Sequence, residues 1–175
     1  MKKFFSLLLL LTIFSSPLFA GKNKECPMNP IIPKSAEFQK MKDLAGTWKG
    51  TADHGNGNKE DVAVNYQLTS GGTAVLETLM PGTPHEMMSL YYEQDGKLRM
   101  THYCMLGNRP VLELKKSTPE TLTLELAKHS GIKKKETHMH ALTLTFGKDK
   151  LTQAWTGYSN GKPTDTTVFT LTRSN

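Results

Sequence analysis

From Gly46 to the end of the chain, apolar and polar residues alternate with a period of two, broken at short intervals by turn-forming residues. That period is the signature of half-buried β-strands, and ten of them can be marked out. They span residues 46–53, 60–69, 72–80, 85–94, 97–106, 109–116, 120–128, 136–146, 150–158 and 164–173. Val62, Val64, Tyr66 and Leu68 share one strand face, as do Leu122, Leu124 and Leu126. Asp95-Gly96 and Asn160-Gly161 are the strongest hairpin signals, because a type I′ turn needs positive φ at both central residues. Links this short favour a meander in which each strand pairs with the next. An open sheet of ten strands would expose two edges, which closure removes. The pattern therefore predicts an all-β fold, a single closed antiparallel meander barrel of about ten strands. Eight strands enclose a lumen just filled by side chains or holding one small ligand, so about ten imply a cavity.

Upstream of Gly46 the pattern changes. Phe38, Met41 and Leu44 recur at three-residue spacing behind the plausible N-cap Ser35, which predicts one short helix between Ser35 and Ala45, suited to a plug or lid. Residues 21–33, rich in Lys, Asn and Pro, read as an irregular leader. Before them, Met1-Lys2-Lys3, the apolar run Phe4–Ile13 and Ser15-Ser16-Pro17 read as a secretory signal peptide ending at Ala20. The expected organisation is a signal peptide (1–20), the leader (21–33) and one barrel domain (34–175). Export to the periplasm or the exterior follows, with no integral membrane segment after cleavage.

Charge changes the picture little. Without Lys2 and Lys3 there remain 20 basic against 16 acidic residues, a net +4, which speaks for solubility and against a nucleic-acid partner. Lys133-Lys134-Lys135 has no interleaved aromatics and reads as a solvated tip. Cys26 and Cys104 permit one disulfide without requiring it.

Leu44-Ala45-Gly46-Thr47-Trp48-Lys49-Gly50, after a short helix and at the head of the first strand, resembles the Gly-x-Trp opening of calycin-type barrels: lipocalins, fatty-acid-binding proteins and nitrobindins. The resemblance implies that Trp48 packs at the closed end beneath a basic residue of the last strand, the place held here by Arg173. Pro81–Met88, Thr101-His102-Tyr103-Cys104 and Gly107-Asn108-Arg109-Pro110 resemble a bacterial family of exported calycin-like proteins, a resemblance that brings no established activity. The nitrobindin likeness would imply haem in the lumen. Thr51-Ala52-Asp53-His54-Gly55 departs from the glycine-rich pattern expected after Trp48, and no single histidine matches the iron ligand.

Candidate chemistry follows from strand parity. Leu98, Met100, His102, Cys104 and Leu106 form the more apolar face of the fifth strand, so His102 and Cys104 are expected in the lumen. His138, His140, Leu142, Leu144 and Phe146 share a face of the eighth strand by the same count. A two-residue turn at Asp95-Gly96 sets Ser89 opposite His102 and Met87 opposite Cys104. His102, Cys104, His138 and His140 are thus polar anchors for a small apolar molecule held among Met100, Leu142, Leu144 and Trp155, and are equally the candidate ligands for a transition metal or haem iron. An enzyme using His102 as general base is the third class. No nucleophile elbow occurs, and Glu77, Glu86 and Glu93 read as solvated strand positions.

Overall fold

The computed structural model describes residues 31–55 and 57–174. The predicted signal peptide, most of the leader and Cys26 lie outside these residues.

The described residues form one closed barrel of ten antiparallel strands preceded by one short helix. The helix, α1 (Ala36–Asp43), starts where Ser35 Oγ accepts the Phe38 N–H at 3.1 Å. Phe38 and Met41 form its buried side. After Leu44 the chain turns through Gly46, whose φ of +123° is open only to glycine at low cost.

The strands are β1 (Gly46–Asp53), β2 (Lys59–Thr69), β3 (Ala74–Leu79), β4 (Met87–Gln94), β5 (Lys97–Tyr103), β6 (Val111–Ser117), β7 (Thr121–Leu126), β8 (His138–Phe146), β9 (Lys150–Ser159) and β10 (Lys162–Arg173). Each pairs with its neighbour in sequence, and β1 pairs with β10 to close the wall. Asp95 and Gly96 take φ of 53° and 71°, and Asn160 and Gly161 take 52° and 76°, as type I′ turns demand. At the seam, Gly50 lies against β10: a Cβ there would fall 1.9 Å from the Thr170 carbonyl oxygen.

α1 plugs one end of the barrel. Lys40 Nζ donates to the Thr118 carbonyl at 2.5 Å, and Arg173 donates to the carbonyls of Asp43 and Ala45 at 2.7 and 2.8 Å. The Arg173 guanidinium lies 4.4 Å from the centre of the Trp48 ring, and Trp48 Nε1 donates to Leu44 O at 2.8 Å. This is the arrangement expected of Trp48 and Arg173. A guanidinium on an indole face contributes about 1 kcal/mol.

Above the plug the lumen is filled. Met100, Leu112, Leu122, Leu124, Leu142, Leu144 and Leu171 are fully buried in one core. Met100, Leu142 and Leu144, expected beside a ligand, belong to this packing and do not line a cavity. A cavity opens toward the far end, at the finishes of β1, β3, β5 and β9 and the starts of β2, β4, β8 and β10.

Candidate functional site

A cavity of about 300 Å3 occupies that end. Met80, Met87, Met105 and Met139 line it with Leu79, Trp155 and Phe169, and His54, Glu60 and His85 also contribute to its wall. At the rim, His54 Nε2 lies 2.8 Å from Glu60 Oε1. Of the three histidines in the wall, His102 is the buried one, only 1% exposed. Its Nδ1 lies 3.0 Å from Ser89 Oγ, the contact expected from the Asp95-Gly96 turn, and the ladder sets Ser89 opposite His102. Its ring centre lies 4.9 Å from that of Trp155. Its Nε2 is buried and has no hydrogen-bond partner in the protein. Burial in this apolar wall disfavours the imidazolium and brings the His102 pKa from 6.5 down to about 4.

Beneath His102 stands a polar network absent from the sequence expectations. Glu77 is wholly buried, which corrects its reading as a solvated position. Tyr66 Oη donates to Glu77 Oε1 at 2.6 Å, Tyr91 Oη to Oε2 at 3.1 Å and Gln153 Nε2 to Oε1 at 2.7 Å. Gln153 also donates to Tyr66 Oη at 2.5 Å and accepts from Trp155 Nε1 at 2.9 Å. Loss of hydration raises the Glu77 pKa, and these donors, with Ser89, pull it back. Desolvation, then the nearby Glu77 charge, drives both tyrosine hydroxyls well above their ordinary value, so they remain protonated donors.

The other expected anchors lie elsewhere. β5 ends at Tyr103, and Cys104 enters a turn in which its N–H donates to Asn108 O and its carbonyl accepts from Gly107. Cys104 faces a separate depression with Glu86 and Arg109, and burial raises its thiol pKa. β8 carries a bulge between Met139 and Ala141, so one extra residue reverses the parity of its first part. His138 therefore pairs with Tyr158 on the outer face, while Met139 turns into the cavity. His138 Nε2 lies 3.0 Å from His140 Nδ1, its Nδ1 lies 2.7 Å from Glu136 O, and His140 stacks on Tyr158 at 3.7 Å. Of the expected anchors, the cavity holds His102 and Trp155, with Ser89 directly behind.

The signal for Glu77 was present in outline: it alternates with Val75 and Leu79, both inward and buried, and Tyr66 stands opposite it in the ladder. Met80 and Met105 had no such signal, since they lie outside strands, whereas Met87 stood opposite an expected lumen position.

The donor set can be weighed against the metal and haem readings. His102 Nε2 has the chemistry to ligate an iron, but a cavity of about 300 Å3 stands at the lower bound of small-molecule sites and favours a guest smaller than a porphyrin. Among the described residues, no three His, Cys, Asp or Glu side chains come together as a metal site. The wall is mostly apolar, and His102 Nε2 is its buried polar atom left without a partner. Comparison with known protein families and with curated proteins returns no match, so the functional reading rests on this geometry.

Proposed function

We propose that the chain is an exported, calycin-like binding barrel that holds one small, mainly apolar molecule in the cavity beside His102. The observation that carries this reading is a buried imidazole nitrogen without a partner in a mostly apolar, methionine-lined wall. An unsatisfied buried polar atom costs about 1 to 3 kcal/mol, and a ligand that satisfies it recovers that energy on binding. The volume is at the lower bound of small-molecule sites, and the methionines adapt to irregular shapes. Export is part of the proposal and rests on the Lys2-Lys3 start and the apolar run after it.

Native mass spectrometry of the protein purified from its own host tests the reading. The expected result is a mass increment from one small organic molecule, lost in His102→Ala while the variant keeps its fold. Leu124→Ala should do the reverse, retaining the ligand while losing about 2 to 5 kcal/mol of stability to a core void. An increment retained in full by His102→Ala would remove the basis for the site.

A further inference from the structure

Two loops at the cavity end gather both charge and exposed apolar surface. Residues 104–110 join β5 to β6, and residues 127–137 join β7 to β8. Asn108 ties them together, its Nδ2 donating to Glu136 Oε1 at 2.9 Å and to the Thr137 carbonyl at 2.8 Å. Met105, in the first loop, and Met139, just after the second, both line the cavity, which places the loops at its mouth. Between them the loops carry Arg109, Lys128, Lys133, Lys134 and Lys135 against Glu136 alone. The other residues after Ala20 hold fifteen basic and fifteen acidic side chains, so these loops account for the whole net charge of +4. All five cations are exposed, and among the described residues none of them forms an ion pair. Glu86 shares a depression with Arg109 but gives its carboxylate to the Gly82 N–H at 2.6 Å. Elsewhere at this end the charges are paired: His54 lies 2.8 Å from Glu60, and Lys59 lies 3.3 Å from Asp53.

Of six large hydrophobic residues exposed among the described residues, four are here. Met105 is 61% exposed and Leu106 53%, and the cross-strand pair Tyr103 and Met88 flanks them at the end of β5. Because Met105 also lines the cavity, this apolar lip is continuous with the cavity wall. Clustered exposed apolar side chains mark an interaction surface. We propose that the two loops dock the mouth of the barrel on an anionic phospholipid bilayer. Leu106 and Met105 enter the boundary between headgroups and acyl chains, and the four lysines and Arg109 lie on the phosphates. A nucleic acid would engage the cations and leave Leu106 in water. Protein interfaces are depleted in lysine, whereas a fluid array of phosphates suits four flexible ammonium groups. Docking stands on this surface and not on the contents of the cavity. Where the cavity holds an apolar guest, that guest passes between bilayer and barrel over Met105 without crossing water.

Co-sedimentation with sucrose-loaded vesicles tests the surface, using the chain purified from its own host and vesicles of phosphatidylcholine alone or mixed equally with phosphatidylglycerol. The expected result is binding to the anionic vesicles that weakens as salt is added, and little binding to the neutral ones. Lys134→Gln and Lys135→Gln should each weaken it by about fivefold, and Leu106→Ser by about tenfold. Leu106→Trp should keep the binding and shift its added emission to the blue as the indole leaves water. All three positions are exposed, so the variants should fold as the wild type does. Equal binding to neutral and anionic vesicles overturns the proposal, as does full binding by the variant carrying both lysine changes. Capture by soluble heparin with no loss in Leu106→Ser also overturns it, and makes the loops a polyanion site. Absence of vesicle binding overturns docking and leaves the cavity reading standing, because the guest is weighed on the protein in solution.

Discussion

His102 is charged in water at mildly acidic pH and uncharged in this barrel, and that difference is measurable as stability. Its pKa is about 4 when folded against 6.5 unfolded, so between those values the unfolded chain takes up a proton that the folded chain refuses. His102 therefore subtracts stability as the pH falls through that window and has almost no such effect above it. Glu77 acts with the opposite sign, because burial raises its carboxyl and its penalty grows as the pH rises past the ordinary glutamate value. His102→Gln removes the first effect and keeps the second. Urea unfolding should then show the variant gaining about 2 kcal/mol on the wild type between about pH 7 and about pH 5. A gap that does not move with pH would mean that the folded barrel holds the imidazolium as readily as water does. The pairing of His102 with Ser89 was legible from the sequence because a two-residue turn determines every register position after it. The network that satisfies Glu77 was not, because its partners Tyr66, Tyr91 and Gln153 come from three other strands.

Strands were legible as elements for a related reason: the period of two survives small errors in their ends, and the turn residues mark where each stops. β1 was placed at its observed bounds, and β5 was drawn three residues too long, which carried Cys104 into a strand it does not occupy. In β8 the period itself misled. A bulge adds one residue to one strand only, and nothing in His138-Met139-His140-Ala141 announces it, so the two histidines were assigned to the wrong face. The seam between β1 and β10 gives the sharpest prediction at this scale. Gly50→Ala places a methyl where the Thr170 carbonyl oxygen now stands, and backbone cannot give way as a side-chain end can. It should cost about 3 kcal/mol or more, the upper range of overpacking, and expose the β1 and β10 amides to hydrogen exchange ahead of the rest. Exchange no faster at the seam than in β4 and β5 would count against this view of the closure.

Taken whole, the molecule is a vessel with one end closed by α1, a filled middle and a recess at the other end. The closed barrel and the short helix were both readable from patterning, whereas the division of the lumen was not. How far a ten-stranded barrel fills depends on which inward side chains meet across it, and those pairs are distant in sequence. The two ends also differ optically. The chain has two tryptophans, and the fold has sent one to each end: Trp48 under the Arg173 guanidinium at the plug, Trp155 beside His102 in the cavity wall. Each indole thus reports on one end by its own fluorescence. An aromatic guest should change the emission of Trp155 and leave that of Trp48 as it was, so Trp155→Phe should abolish the response and Trp48→Phe should preserve it. A response that follows Trp48 instead would show that the plug end senses the guest, and that the barrel transmits an optical signal along its length.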